Sequence, residues 1–206
     1  MPGQQLQTNG WVLGRPLSGS DAFESLQLFS ESHGVLVALR RVSTKTAPQN
    51  SPLDLFDEAE LALESTNQGR TWFVKEHRHL RRHPGIGRSY AALQAAASLS
   101  GLLLRNPLPD ESRPALAGLL RLSLAALDGG ARPDLVWFKA LYCFLRDEGY
   151  PVKQDWWQHL GDDDRAAAAF ILNQPIAQQE PAPDLLDRLT RRLAAWVASD
   201  TEIRLT

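Results

Sequence analysis

Apolar and polar residues alternate in short runs over the first 80 residues of the chain. Three apolar runs open it, separated by the polar breaks 16–20 and 31–34: residues 6–15, 21–30 and 35–39. A polar break that ends in glycine, here Gly34, is typical of a hairpin, because glycine adopts the positive φ that a tight turn requires. These residues therefore predict a small antiparallel β unit whose third strand leads into two basic residues, Arg40 and Arg41.

Two of the predicted strands have an ambiguous pattern. Residues 21–30 fit a helical face or a strand, but alternation at Leu26, Leu28 and Ser30 favours a strand. Residues 53–64 alternate apolar and acidic side chains, as a half-buried strand does, although their Ala, Glu and Leu content also fits a helix. After a turn at 65–70, residues 71–77 are rich in β-formers, so we predict about five strands in the first 80 residues.

The apolar period becomes helical after the first 80 residues. The predicted helices are 88–104, 111–127, 134–147, 162–173 and 184–198. Pro114 lies in the first turn of the second helix and Gly129-Gly130 follows its end, the usual position for each residue type. Asp162, Asp163 and Asp164 open the fourth helix, where the helix dipole favours negative charge.

This order of elements predicts an α+β protein with two domains, 1–80 and 81–206. A five-stranded antiparallel unit hides its edges by closing into a barrel, and the OB-fold is the commonest five-stranded solution. Composition alone does not distinguish an OB-fold from an SH3-like barrel. The second domain is expected to be entirely helical.

Composition limits the class of protein further. The chain has 206 residues, 43% of them hydrophobic, and a net charge of -2. It has no apolar run long enough to span a membrane and no N-terminal signal pattern, so we expect a cytoplasmic protein. Cys143, the one cysteine, has apolar neighbours and is predicted to be an inert buried thiol.

No catalytic or metal-binding pattern stands out. Gly85-Ile86-Gly87 is too short for a dinucleotide-binding loop, and no P-loop or nucleophile elbow is present. His77, His79 and His83 lie close together, but the arginines between and beside them oppose a cation. We therefore expect no enzyme activity, no cofactor and no bound metal.

Clustered positive charge is a stronger indication of function than any catalytic or metal-binding pattern in this sequence. Residues 75–88 carry five Lys or Arg and three His against one Glu, and further basic residues follow the opening hairpin. Basic groups on two strand ends would form an electrostatic groove, and Trp72 or Phe73, if exposed, could stack on bases. A solvated loop with core aromatics explains the same pattern equally well. The candidate DNA-binding residues are Arg15, Arg40, Arg41, Lys45, Lys75, Arg78, Arg81, Arg82 and Arg88.

Several short motifs resemble the bacterial recombination mediator family RecO. They are Ser20-Asp21 in the first turn, Leu28-Phe29 before Glu31-Ser32-His33-Gly34, the strand 35–41 that ends in basic residues, and Leu145 to Gly149-Tyr150 after the third helix. The order of strands and helices also resembles that family over most of the chain.

The resemblance implies an N-terminal OB-fold, a helical domain and no enzymatic activity. It implies binding to single- and double-stranded DNA, strand annealing, and loading of RecA with RecR onto SSB-coated DNA in the nucleoid. The basic residues at 40–45 and 75–88 would face DNA, and the helical half would contact the SSB tail. Many members carry a four-cysteine zinc module, whereas residues 151–162 contain Trp156-Trp157 and no cysteine. The alternative is a protein-interaction adaptor whose barrel has lost DNA affinity and whose Trp156-Trp157 pair anchors an apolar patch.

Overall fold

The chain divides into two compact units, each described here by itself. The computed structural model describes residues 3–19, 21–42, 51–65 and 67–205. One unit comprises Met1–His83 with Pro107–Pro114, and the other Pro84–Asn106 with Ala115–Thr206. The division therefore falls after residue 83, whereas the sequence placed it after residue 80, and residues 107–114 belong with the first unit.

The first unit is a closed five-stranded barrel, as predicted. Its strands, within the described residues, are β1 (Gln4–Gly14), β2 (Phe23–Ser30), β3 (Gly34–Arg41), β4 (Glu58–Ser65) and β5 (Trp72–Arg81). They close in the order β1-β2-β3-β5-β4, with a parallel contact between β3 and β5 and antiparallel contacts elsewhere. This arrangement is an OB-like barrel, one of the two barrel types that composition left open.

Inward-facing apolar side chains from all five strands fill the barrel. The buried cluster contains Leu6, Val12, Leu26, Leu28, Ala38, Leu53, Ala59, Leu61, Leu63 and Trp72. Each large side chain buried in this way contributes about 1.5–3 kcal/mol. Trp72 is only 6% exposed, so the suggestion that it stacks on bases is wrong. Residues 53–57 are not part of β4, although Leu53 still contributes to the core.

The turn between β2 and β3 lies where the sequence predicted a hairpin. Gly34 has a φ of 68°, a conformation that a side chain would strain. The Ser30 hydroxyl accepts the His33 N–H at 3.0 Å, and Arg113 Nη1 donates to the Ser32 carbonyl at 2.7 Å. These contacts hold the hairpin in one register, in which Ser30 pairs with Gly34 and Phe23 pairs with Arg41.

The second unit contains the predicted helices. In the described residues the α-helices are α1 (Tyr90–Arg105), α2 (Arg113–Asp128), α3 (Pro133–Asp147), α4 (Asp162–Asn173) and α5 (Pro183–Asp200). Short 3-10 turns of this unit lie at Ile86–Arg88, Trp156–His159 and Ile176–Gln178, and another, Asp110–Ser112, belongs to the first unit. Gly130 and Gly149, with φ of 83° and 82°, follow α2 and α3 as the glycine positions predicted. No helix in the described residues has the length and apolar character needed to cross a bilayer.

Buried polar contacts and aromatic rings tie the helices of this unit together. Lys139 Nζ donates to the carbonyls of Ile171, Leu172 and Gln174 at 2.7–3.0 Å, and burial lowers the pKa of Lys139. Trp156 is 1% exposed and packs against Phe138 with ring centroids 6.3 Å apart. It is therefore a core residue, and the idea that it anchors an exposed patch is wrong.

The thiol of Cys143 is partly exposed rather than fully buried. Its surroundings still raise the pKa of Cys143, chiefly through desolvation. Since the thiolate is the reactive form, the raised pKa keeps this thiol weakly nucleophilic at neutral pH.

Candidate nucleic-acid interface

A groove on the barrel brings together four of the predicted DNA-binding residues. β3 and β5 run parallel and pair at Ala38–Trp72 and Leu39–Phe73. A groove of about 740 Å³ is lined by the end of β3 and by the β5 residues that follow this pairing. The charged side chains that line it are the cations Arg40, Arg41, Lys75 and Arg78 and the carboxylates Glu60 and Glu76. The two basic segments that the sequence singled out therefore meet at one surface, which we call the β3–β5 groove.

Arg40 is held in place by an acidic partner. It lies directly across from Glu24 on β2, and its Nε donates to a carboxylate oxygen of Glu24. The other oxygen of Glu24 accepts from Arg15 Nη2 at 2.7 Å. The Arg40 and Glu24 side chains are 18% and 16% exposed, so this pair is largely screened from solvent and fixes the strand ends.

Three other groove cations are accessible. Arg41 is exposed and forms no ion pair within the described part of the chain. Lys75 Nζ lies 2.6 Å from Glu64, and Arg78 Nη2 lies 2.7 Å from Glu60. Exposed ion pairs of this kind contribute about 0.2–1 kcal/mol, so phosphate oxygens can replace the carboxylates at small cost.

The remaining candidate residues do not line this groove. Arg81 and Arg82 lie 3.7 and 3.6 Å from the buried carboxylates of Glu58 and Asp57. Arg15 contacts Asp54 at 3.2 Å besides Glu24. Arg88 belongs to the helical unit, in the 3-10 turn Ile86–Arg88. Lys45 lies outside the described residues.

The histidines of β5 make protein contacts and do not form a metal centre. Nε2 of His77 and Nε2 of His79 lie 2.9 and 3.1 Å from the same carbonyl oxygen, that of Ser51. A carbonyl only accepts hydrogen bonds, so in these contacts each Nε2 carries a proton. His79 Nδ1 also lies 3.4 Å from the Asp57 carboxylate. Within the described residues, no three His, Cys, Asp or Glu side chains are placed to bind a metal ion.

Sequence reasoning missed an aromatic partner beside the groove. Phe23 at the start of β2 contacts Phe73 of β5, with ring centroids 5.9 Å apart and planes at 72°. Both rings are partly exposed. The hairpin register could have revealed Phe23, because it pairs with Arg41. Its proximity to Phe73 could not be predicted, since it depends on the non-local pairing of β3 with β5.

The acidic partners Glu60 and Glu64 were also missed. Alternation along β4 places both on its outer face, away from the buried Leu61 and Leu63. That alternation is visible in the sequence. Which cations they meet depends on the β4–β5 register, which pairs Glu60 with Arg78.

The helical unit has a smaller pocket of its own, of about 250 Å³. Trp156, Leu160 and Trp196 contribute apolar walls, and His159, Arg192, Ser199 and Asp200 contribute polar groups. Arg192 Nη1 donates to the His159 carbonyl at 3.3 Å. A pocket of this size can accept one apolar side chain, and Arg192 and Asp200 place charges of both signs at its wall.

Comparison with known proteins supplies no family for this chain. No protein-family profile matches it, and no curated protein is significantly similar to it in sequence.

Proposed function

We propose that this protein is a RecO-like recombination mediator that binds single- and double-stranded DNA through its barrel and anneals complementary strands. In this proposal it is not an enzyme, and it helps RecR to load RecA on SSB-coated DNA in the cytoplasm, at the nucleoid. The observation that carries the proposal is the β3–β5 groove, where cations from two distant segments converge on an OB-like barrel.

The chemistry of the groove supports a phosphate ligand. Arg41, Lys75 and Arg78 lie at its exposed edge and offer charged N–H donors. Lys and Arg side chains that replace counterions along a phosphate backbone supply the sequence-independent part of DNA affinity. Such binding needs no catalytic group and suits a factor that handles strands of any sequence.

The helical unit is the part of the chain where we place the protein partners. The pocket between Trp156 and Trp196 can bury an apolar side chain, and its wall carries both Arg192 and Asp200. The SSB tail is assigned to this pocket as part of the same proposal. RecR is assigned to this unit or to the barrel surface outside the groove.

The test is the affinity of the full chain for a fluorescein-labelled oligo(dT) strand at low salt, measured by anisotropy. We expect the triple variant Arg41→Gln, Lys75→Gln, Arg78→Gln to bind more weakly by roughly tenfold or more, because three phosphate contacts are removed. Arg40 is left intact because its contact with Glu24 holds the strand ends together.

A matched control carries the same change of charge on the helical unit: Arg146→Gln, Lys153→Gln, Arg191→Gln. Arg146 and Arg191 are ion-paired and exposed, as Arg78 is. This variant should bind as the unmodified protein does. Equal loss of affinity in both variants, or no loss in the groove variant, would show that the groove is not the DNA site.

The second candidate function is a protein-interaction adaptor without DNA affinity. It is favoured by the carboxylates that already occupy Arg40, Lys75 and Arg78. A gel shift with single-stranded DNA at low salt separates the two functions. Absence of a shift at micromolar protein would support the adaptor function and exclude the mediator function. A shift that added salt removes would support the mediator function.

A further inference from the structure

We infer that Phe23 and Phe73 form a stacking platform for the bases of a single strand, so that the barrel prefers unpaired DNA to a duplex. This inference deepens the proposed function and rests on it. It assigns the bases to an aromatic surface beside the β3–β5 groove and the phosphates to the cations that adjoin that surface.

The register of the strands places both rings on the outer face of the barrel. Their neighbours Leu26 and Trp72 point inward and are buried. Because side chains alternate between faces along a strand, Phe23 and Phe73 point outward. Phe23 pairs with Arg41 of β3, and Phe73 pairs with Leu39 of the same strand. The two rings therefore meet over β3, where they lie 5.9 Å apart.

An apolar strip continues along β3 from this pair. Leu39 lies between Ser25 and Phe73 and is partly exposed. Val37 and Val35 follow on the same face and are 42% and 39% exposed. Together with the rings they form a partly exposed apolar surface on β2, β3 and β5, and strands 2 and 3 provide the face on which OB-folds bind oligonucleotides.

Positive charge adjoins the aromatic end of this strip. Arg41 stands directly across from Phe23, and Lys75 follows Phe73 by two residues. An occupant that matches this surface has flat apolar rings joined by negative charges. A single nucleic-acid strand has this chemistry, since each base presents a π-face and each linkage carries a phosphate. In a duplex the same faces are already stacked and paired.

The test compares the full chain with the variant Phe23→Leu, Phe73→Leu on two labelled strands of equal length, oligo(dT) and a fully abasic strand. Leucine keeps an apolar side chain but removes the π-face. We expect the variant to bind oligo(dT) more weakly by roughly tenfold, because each stacked base contributes substantially. Affinity for the abasic strand and for a duplex should not change, because phosphate contacts are intact.

Two control variants test whether the loss of affinity is specific to these positions and to the loss of the aromatic rings. Phe170→Leu alters a phenylalanine that is 60% exposed on α4 and should leave both affinities unchanged. Phe23→Tyr, Phe73→Tyr retains two aromatic rings and should retain the affinity for oligo(dT). Thermal unfolding of each variant is measured alongside, and if the double leucine variant melts early, each single leucine variant is tested in its place.

The outcomes separate this inference from the proposed function. If the unmodified protein binds both strands and the leucine variants match it, the stacking platform is refuted while DNA binding stands. If a leucine variant loses both strands equally, the rings serve the fold or a different ligand, and the platform is again refuted. If the unmodified protein binds neither strand, both proposals fail. The stacking platform would also be refuted if the leucine variants lost a protein partner while their affinity for DNA stayed unchanged.

Discussion

Acidic side chains lower the effective charge of the β3–β5 groove: Glu60 and Glu76 line it, and Glu64 pairs with one of its cations. Glu60 and Glu64 each neutralise one of its accessible cations, at 2.7 Å from Arg78 and 2.6 Å from Lys75. The Arg78 and Glu60 side chains are 69% and 51% exposed, so water screens their attraction. Such a pair adds little to stability, yet it places a negative charge where a phosphate would bind. Under the proposed function, these acidic residues compete with phosphate while they add little to the stability of the barrel.

We therefore expect the variant Glu60→Gln, Glu64→Gln to bind oligo(dT) more tightly, by roughly three- to thirtyfold, because two competing negative charges are removed. Anisotropy titrations at fixed low salt measure the change. Thermal stability should change little, since exposed pairs contribute about 0.2–1 kcal/mol each.

Glu180→Gln, Glu202→Gln, which changes two exposed carboxylates of the helical unit, is the control for the change of two in net charge. It should leave the affinity unchanged, because neither carboxylate lines the groove or pairs with its cations. Tighter binding by the control to the same degree would attribute the effect to net charge and not to the groove.

At the level of elements, the local patterns were enough to predict most strands and helices. The β2–β3 hairpin could be predicted because Gly34 and the alternation beside it are close in sequence. The parallel contact of β3 with β5 could not, because it joins Leu39 to Phe73, which lie 34 residues apart in the sequence with β4 between them. Burial of an aromatic ring depends on such distant contacts. For this reason the sequence left the burial of Trp72 undecided and allowed an exposed patch at Trp156, and the contact of Phe23 with Phe73 was missed.

The acidic start of α4 provides a tie between two helices. Asp164 lies in the first turn of α4 and accepts a hydrogen bond from Arg188 Nη2 of α5 at 2.7 Å. Arg192 of α5 lies 3.7 Å away. The hydrogen bond from Arg188 is the main reason that the pKa of Asp164 is lowered. The prediction that this acidic run marks a helix start is confirmed, and one of its members also links α4 to α5.

The contact between Asp164 and Arg188 predicts that the thermal stability of the protein depends on pH. A carboxylate whose pKa is lowered by folding stabilises the folded state at pH values above its unfolded pKa, and the stabilisation is lost as the pH falls through the folded pKa. The variant Asp164→Asn should therefore melt at a lower temperature than the unmodified protein near neutral pH. The difference should shrink below the ordinary pKa of 3.8 and disappear at lower pH.

Asp163→Asn is the matched control, because Asp163 lies in the same first turn, is exposed and forms no ion pair within the described residues. Its melting temperature should change less at neutral pH. Thermal unfolding followed by circular dichroism across the acid range gives both curves. A pH-independent difference for Asp164→Asn would show that lost packing, and not the carboxylate charge, causes the effect.

At the level of the whole molecule, the charge to which we assign the proposed DNA binding is local. The chain carries a net charge of -2, so the molecule as a whole does not attract a polyanion. Screening at physiological salt confines electrostatic attraction to about 8 Å around each group. Under the proposed function, DNA affinity then depends on the few cations that contact phosphate. The slope of affinity against salt concentration gives the number of these contacts.

Salt dependence therefore provides the final prediction. Single-stranded binding weakens with salt by a slope of about -0.7 in log K against log salt for each phosphate contact. Contacts from Arg41, Lys75 and Arg78 predict a slope of about -2 by that relation. Single variants at these positions should each reduce the slope by about 0.7, whereas Phe23→Leu should lower the affinity and leave the slope unchanged. Annealing of complementary strands, followed by fluorescence quenching, should slow over the same salt range. Binding that is insensitive to salt, or annealing that survives loss of all three cations, would exclude the groove as the DNA-binding surface.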